Sequence, residues 1–374
     1  MNKLNRIDCI DGWRAIAAMG VLYTHLLEVL KQPRLMIGPV DLFTVLNILG
    51  KGVHLFFVIS GFCFFLVMSR KGDFSLSGIL HFWKKRWLRI APAFYVACIV
   101  YGCFKFGHFS TPFAASLAAN FIFLQPYIPG TEIAALFWSL SVEWLFYLML
   151  PFLFIASRKI GVIPVILMML GSGLLLNMLH FAGYIYANNF AWYYTIFANY
   201  EHFGWGILLG LVYERNLLQH TFLSRPTGFF TGVFAAYLGK LFFYAGFLVY
   251  AGKAAFLFES VGPLIMTLGF AMIILASLRN AWLNQLLSNR VLVFVGRISF
   301  SFYLWHLLVV KTCFTYFQAF LPEGAAGVLV LGLLTLIILI PLSLLSYNLF
   351  ESFYFKIPTQ KMEIKLKTVT PFIK

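Results

Sequence analysis

Long apolar segments separated by short polar ones occupy nearly the whole chain. Ten of them are long enough to cross a hydrocarbon layer of about 30 Å, which takes about 20 helical residues. They lie near residues 9–30, 51–69, 90–107, 136–157, 160–179, 192–213, 228–250, 260–278, 291–312 and 325–349. The pattern predicts an all-α, polytopic membrane protein, with one transmembrane domain over 1–355 and a short basic tail over 356–374.

The basic residues of the loops indicate the orientation. The loops after even-numbered segments, together with both ends of the chain, are rich in Lys and Arg: Lys3, Arg6, Arg70, Lys71, Lys84, Lys85, Arg86, Arg89, Arg158, Lys159, Arg215, Arg225, Arg279, Arg290 and Lys356. The alternate loops carry Lys31, Arg34, Lys51 and Lys253. Since cytoplasmic loops are enriched in Lys and Arg, both termini are predicted to be cytoplasmic. Residues 108–135 are predicted to form a periplasmic loop with a short interfacial helix, a re-entrant segment being the alternative.

Composition narrows the class further. The chain has 374 residues, 61% of them hydrophobic and 11% charged, whereas soluble domains average about 25% charged residues. The net charge of +15 is spread over many loops and forms no single patch, which excludes nucleic-acid binding. No cleavable signal peptide is predicted, because the first apolar run is long and begins with Asp8 and Asp11. The five cysteines show no metal-ligand spacing, so free thiols and no metal site are predicted.

Two ionisable residues share one face of the first segment. Arg14 and His25 are separated by about three helical turns, or ~16 Å along the axis, and project the same way. An ionisable group at membrane depth is costly unless it is paired or lines a wet cavity, so it marks a candidate functional site. The sequence therefore predicts a site that extends through much of the bilayer.

The predicted depths of the polar residues in the membrane place them in two layers. The upper layer holds His25, Glu143 and His306, and the lower layer holds Arg14, Arg297, Arg86 and Arg89. Guanidinium groups suit phosphates, and a histidine with a carboxylate suits proton transfer. Structural interpretations stay open for several residues: positive-inside anchors for Arg86 and Arg89, pairing with Asp11 for Arg14, hydrogen-bonded packing for His306, and a local pair for Glu201 and His202.

With these residues the chain resembles the membrane acyltransferase-three family, whose members modify cell-surface carbohydrates. The matching motifs are Asp11-Gly12-Trp13-Arg14 with His25, Gly52-Val53-His54-Leu55-Phe56-Phe57-Val58-Ile59-Ser60-Gly61-Phe62, Arg86-Trp87-Leu88-Arg89, Trp138-Ser139-Leu140-Ser141-Val142-Glu143 with Tyr147, and Gly296-Arg297-Ile298-Ser299-Phe300-Ser301-Phe302-Tyr303-Leu304-Trp305-His306. They occur in order and cover nearly the whole length.

The resemblance implies a reaction and a set of roles. Acyl-CoA, most often acetyl-CoA, is the expected co-substrate, with no permanently bound cofactor. The acceptor is a hydroxyl of a carbohydrate or lipid-linked glycan, such as lipopolysaccharide O-antigen or exopolysaccharide, at the bacterial inner membrane. Expected phosphate ligands are Arg86, Arg89 and Arg14. His25 is the expected base or transient acyl carrier, and Glu143 is expected to orient it. Expected supporting residues are Asp11, Ser60, Gly61, Ser141, Tyr147, Arg297, Tyr303 and His306.

The sequence departs from the family pattern at two positions, and other functions are still open. His54 occupies a position that is often acidic in relatives, and the tail around Glu351 lacks the usual following proline, so Glu351 is left out of the site. The chain is expected to be a stand-alone form, either finishing the transfer itself or using a separate extracytoplasmic partner. Rival interpretations are a transporter or flippase of a lipid-linked sugar, a non-catalytic assembly subunit, and an acyltransferase for a small secreted metabolite. Binding of coenzyme A separates the enzyme from the transporter.

Overall fold

The computed structural model describes residues 7–71, 74–184, 192–248 and 255–352. Helices dominate this part of the chain, which confirms the all-α prediction. They are α1 (Asp8–Val29), α2 (Leu42–Leu46), α3 (Gly52–Lys71), α4 (Leu76–Phe106), α5 (Thr111–Phe121), α6 (Trp138–Ile160), α7 (Val162–Phe181), α8 (Ile196–Glu214), α9 (Pro226–Leu248), α10 (Ala255–Arg279), α11 (Ala281–Leu287), α12 (Arg290–Arg297), α13 (Ser299–Phe317) and α14 (Gly324–Ser346). A π-helical turn, Tyr347–Glu351, follows α14, and two short strands, β1 (Met36–Ile37) and β2 (Val40–Asp41), pair antiparallel.

Several of these helices can span a membrane. Within the described ranges, six helices are long and apolar enough, and the bent pair α12–α13 gives a seventh. Helix α1 is not among the six, since its 22 residues include Arg14, His25 and Glu28. Each predicted segment overlaps a helix or the bent pair, while the count of ten spans and the cytoplasmic termini stay predictions. Lys3, Arg6, Lys253 and the tail 356–374 lie outside the described residues.

Helix α4 begins earlier than the predicted segment 90–107. It runs for 31 residues from Leu76, about 46 Å at 1.5 Å per residue, which exceeds the thickness of the hydrocarbon layer. Ser75 caps its start by accepting a hydrogen bond from the Gly78 amide at 3.1 Å. Arg86 and Arg89 therefore sit inside a helix, where successive turns present both side chains to the bundle.

The predicted segment 291–312 is broken in the structure. Helices α12 and α13 meet at Ile298 with a bend of 76°. The predicted segment corresponds to this bent pair, and the bend itself was not predicted because a hydropathy pattern carries no information about a change of direction. The predicted short helix of the 108–135 loop is confirmed as α5, which Ser110 caps through the Phe113 amide at 3.4 Å.

Glycines let the helices around α1 and α3 approach closely. A Cβ at Gly296 of α12 would lie 2.0 Å from the Asp11 carbonyl oxygen of α1. A Cβ at Gly61 of α3 would lie 2.3 Å from the Phe203 carbonyl oxygen of α8. Small residues of this kind are typical of helix contacts within membranes. Gly52 brings the start of α3 against α1 in the same way, since a Cβ there would lie 2.3 Å from the Ala17 carbonyl oxygen, and both helices contribute to one pocket.

Candidate active site

Five helices, α1, α3, α4, α6 and α13, enclose a pocket with an empty volume of about 870 Å³, including the part open to solvent. Phe56, Phe57 and Phe300 are among its apolar walls. We call it the arginine pocket after the residue type that dominates its polar lining. The polar groups that line it are Arg14, Ser60, Arg86, Arg89, Ser139, Glu143, Tyr147, Ser299 and Tyr303.

Two of the three arginines have no anionic partner among the residues that the structure describes. The Arg86 guanidinium lies over the rings of Phe64 at 4.7 Å and Tyr147 at 5.9 Å, and its buried Nε atom has no hydrogen-bond partner. Within the described residues, no carboxylate oxygen lies within 4.0 Å of Arg14 or Arg86, so Arg14 does not form the alternative pair with Asp11. The pocket therefore has two cations whose charge is available to a ligand.

The third arginine is neutralised by the protein itself. Arg89 forms an ion pair with Glu351, whose side chain is fully buried in the π-helical turn after α14. Ser301 Oγ donates a second hydrogen bond to Glu351, at 2.5 Å. The sequence-based exclusion of Glu351 rested on a missing proline, whereas the structure places Glu351 against a pocket arginine. The counter-ion makes Arg89 a weaker candidate for phosphate binding than Arg14 and Arg86.

Glu143 belongs to the arginine pocket. Its carboxylate accepts hydrogen bonds from Ser60 Oγ at 3.3 Å and from the Tyr147 hydroxyl one turn along α6. The predicted contact of Glu143 with His25 was wrong, because His25 instead lies 2.7 Å, through Nδ1, from Glu28 Oε2. The arrangement on α6 leaves Glu143 as a hydrogen-bond acceptor at the wall of the pocket.

His25 and His306 form a pair, as their predicted common depth indicates. Their ring centroids are 5.2 Å apart, and His306 is fully buried. His306 Nδ1 lies 2.5 Å from the Tyr303 carbonyl oxygen. Because a carbonyl and a carboxylate only accept, the Nδ1 atoms of both histidines carry a proton, and each neutral ring has an unprotonated Nε2. The buried Nε2 of His306 has no hydrogen-bond partner.

Tyr303 connects the pocket with the histidine pair. Its side chain lines the arginine pocket, and its hydroxyl donates to the Leu136 carbonyl at 2.9 Å and lies 2.7 Å from Ser139 Oγ. The Tyr303 ring is 5.4 Å from that of His306. Tyr303 thus lies between the arginine pocket and the histidine pair, and neither histidine lines the pocket itself.

Besides His306, four predicted supporting residues lie away from the pocket lining. Asp11 and Ser141 are buried, and Arg297 is exposed at the end of α12. Gly61 faces α8 at the close backbone contact described above. Their roles in substrate binding stay untested predictions, and the lower layer of cations reduces to Arg14, Arg86 and Arg89.

Sequence reasoning missed Glu28, Ser139 and Ser299. Glu28 lies three residues after His25 on α1, a spacing at which helical side chains meet, so the signal was present in the sequence. Ser139 stands inside a motif quoted for the resemblance, but Ser141 was chosen instead. The phase of α6 decides between these two serines, and that phase depends on how the helix packs.

Comparison with known proteins establishes the family. A family model described as an acyltransferase domain matches residues 7–347. This chain belongs to the membrane acyltransferase-three family. The match confirms the resemblance seen in the motifs, and with the apolar helices it makes the protein a multi-pass membrane protein.

Curated relatives agree with the family. Proteins of Staphylococcus aureus strains COL and MSSA476, each provisionally named an O-acetyltransferase, are 23% identical to this chain over 344 residues. The alignments cover 84% of this chain and 52% of each relative, so the chain spans about half the length of these relatives. No solved structure matches the chain significantly. Together, the family and the relatives support an O-acyltransferase.

Proposed function

We propose that this protein is an O-acetyltransferase that moves the acetyl group of cytosolic acetyl-CoA to a hydroxyl of a cell-surface carbohydrate. The bacterial inner membrane is the proposed location, with lipopolysaccharide O-antigen or exopolysaccharide as acceptor. The observation that carries the proposal is that a pocket lined by three arginines has Tyr303 on its wall, with the His25–His306 pair beside Tyr303. Ionisable groups gathered in an apolar bundle are costly, and these provide both an anion site and a base.

The arginine pocket is the proposed donor site. Arg14 and Arg86 supply two unpaired guanidinium groups, and such groups bind phosphate through two parallel hydrogen bonds. The aromatic ring of Phe64 holds the Arg86 guanidinium by its face, which leaves the planar edge free to donate. We assign the phosphates of coenzyme A to these two residues, and to Arg89 only in support of them.

The middle of the pocket suits the pantetheine arm. Glu143 is a hydrogen-bond acceptor already fixed by Ser60 and Tyr147, and the arm carries amide N–H donors. In this arrangement the thioester extends toward Tyr303 and the histidine pair. Glu143 then contributes to binding of the donor, and its effect on the chemical step is indirect.

The histidine pair is the proposed reaction centre. His25 Nε2 takes the proton of the acceptor hydroxyl while the hydroxyl oxygen bonds to the thioester carbonyl carbon. The carbon–sulfur bond then breaks, and the imidazolium returns the proton to the leaving thiolate, so that free coenzyme A and the acetyl ester are the products. Glu28 holds the Nδ1 proton and stabilises the imidazolium, as a carboxylate does in acyl-transfer triads.

Release of free coenzyme A tests the proposal. Membranes that contain the wild-type chain receive acetyl-CoA and a carbohydrate extract of the host, and are compared with His25→Ala and with His81→Ala. His81 is an exposed histidine of α4 and serves as the matched control. Loss of a general base is expected to slow release by about 10²-fold or more, while His81→Ala keeps it.

Two outcomes contradict the proposal. Equal release by the wild type and His25→Ala would remove His25 from the chemistry. Absence of both coenzyme A release and coenzyme A binding in folded wild-type protein would favour the transporter interpretation, which uses the same buried charges without this donor.

A further inference from the structure

A second group of basic side chains lies beside the arginine pocket, where α3 meets α8 and α9. We call Lys51, His54, His202 and Lys240 the lysine–histidine cluster. Lys51 ends the turn before α3, and His54 follows one turn later. The rings of His54 and His202 have centroids 4.9 Å apart, which joins α3 to α8. Lys240 approaches from α9.

One aromatic ring ties the two lysines together. The Tyr244 ring centroid is 5.9 Å from Lys51 Nζ and 5.8 Å from Lys240 Nζ. Lys51 Nζ also lies 5.3 Å from the Phe243 centroid. A cation over an aromatic face is stabilised, but two ammonium groups that share one ring repel each other.

The cluster has no anion of its own in the described part of the chain. No carboxylate oxygen lies within 4.0 Å of either lysine, and neither ammonium donates a hydrogen bond there. The predicted local pair of Glu201 with His202 was wrong: Glu201 faces Asn177 of α7 at 3.5 Å, and His202 faces Thr267 of α10 at 3.3 Å. Four basic groups thus converge without compensation.

Lys240 is unusual because it is a buried lysine in the apolar helix α9. Only 8% of its surface is exposed, so its ammonium group does not reach the surface as a snorkelling lysine does. Buried charges in membranes are paired or bind a charged ligand. The packing of the described residues supplies no pair, so an anionic ligand would stabilise this charge.

The exposed surface of α9 beside the cluster is apolar. Tyr244, which bridges the lysines, is 38% exposed, and its neighbour Leu241 is an exposed apolar residue of the same helix. A soluble anion would have to cross this apolar surface to reach Lys240. An anion attached to a lipid can enter laterally from the bilayer.

We propose that the lysine–histidine cluster binds a phosphate group carried on a membrane lipid. Phosphate oxygens accept charge-assisted hydrogen bonds from Lys ammonium groups and from imidazole N–H groups. The site is next to the arginine pocket, since Phe57 lines that pocket and contacts both histidine rings at centroid distances of 6.4 Å. A glycan linked to lipid through phosphate would be held here beside the donor; this last step rests on the proposed function.

Lipid binding to the purified full-length chain tests the site without any transfer reaction. Native mass spectrometry measures retention of dioleoyl phosphatidic acid against dioleoyl phosphatidylcholine. The wild type is expected to retain one phosphatidic acid, and Lys51→Met/Lys240→Met to bind it about tenfold more weakly. The control Lys31→Met/Arg34→Met removes two exposed basic residues and is expected to behave as the wild type.

One more variant and two further measurements complete the experiment. Lys51→Arg/Lys240→Arg keeps both charges and is expected to retain the lipid, which covers the case of a poorly folded methionine variant. Equal retention by the wild type and a folded methionine variant would overturn the proposal. Binding of inorganic pyrophosphate but not of phosphatidic acid would overturn the assignment to a lipid. Coenzyme A binding, measured on the same samples, reports separately on the proposed function.

Discussion

The ion pair between Arg89 and Glu351 allows a quantitative test of how the arginine pocket is built. The Glu351 side chain has no exposed surface, and the Arg89 side chain is 13% exposed. Glu351→Gln leaves the guanidinium buried without its counter-ion, which costs about 3–5 kcal/mol of unfolding free energy. Replacement of both partners by apolar residues of similar size, Arg89→Met/Glu351→Leu, removes both charges and is expected to be close to neutral.

Thermal unfolding in detergent measures this coupling, with Arg89→Met, Glu351→Leu and Arg89→Met/Glu351→Leu forming a double-mutant cycle with the wild type. Glu351→Gln is expected to lower the unfolding midpoint by about 6–20 °C, at about 2–4 °C for each kcal/mol in a large chain. The double variant should recover at least half of that loss. Glu323→Gln, at an exposed glutamate before α14, is the matched control and should change little. Additive losses in the double variant would refute the inference that Glu351 acts mainly as the counter-ion of Arg89.

Three further substitutions test other parts of the account. Gly61→Ala should destabilise the protein by about 1–3 kcal/mol through overpacking. Gly171→Ala, whose Cβ meets nothing within 4 Å, should not. Equal thermal midpoints of the two variants would contradict the close contact at Gly61. Glu143→Gln should raise the KM for acetyl-CoA and lower kcat by less than about tenfold. A fall of about 10²-fold in kcat would instead support the sequence-based prediction that Glu143 orients His25. Glu28→Gln should lower kcat about tenfold or more with little change in KM, because the amide cannot stabilise the imidazolium; an unchanged kcat would exclude Glu28.

The fold was predictable from the sequence because the hydropathy pattern directly reflects burial in lipid. Segments such as 51–69 and 136–157 correspond closely to α3 and α6. The break at Ile298 and the long extension of α4 were missed. Both features depend on packing against neighbouring helices, and a count of apolar residues contains no information about that packing.

The sequence predicted many of the single residues of the site, but it predicted fewer of the contacts between their side chains. Helical arithmetic placed Arg14 and His25 on one stripe, and depth placed His306 beside His25. The partner of Glu143 could not be read in this way, because it depends on the rotation of α6 relative to α1 and α3. Lys240 was overlooked since a single lysine barely changes the hydropathy of an apolar segment.

The most direct test of the central claim is the affinity of the purified protein for coenzyme A, measured by isothermal titration calorimetry. The account predicts that Arg14→Ala/Arg86→Ala weakens binding by about 100-fold or more, since it removes two charge-assisted phosphate contacts. Arg215→Ala/Arg290→Ala, which removes two exposed arginines, should bind as the wild type does. Equal affinity of the wild type and Arg14→Ala/Arg86→Ala would contradict the assignment of the arginine pocket to the acyl donor.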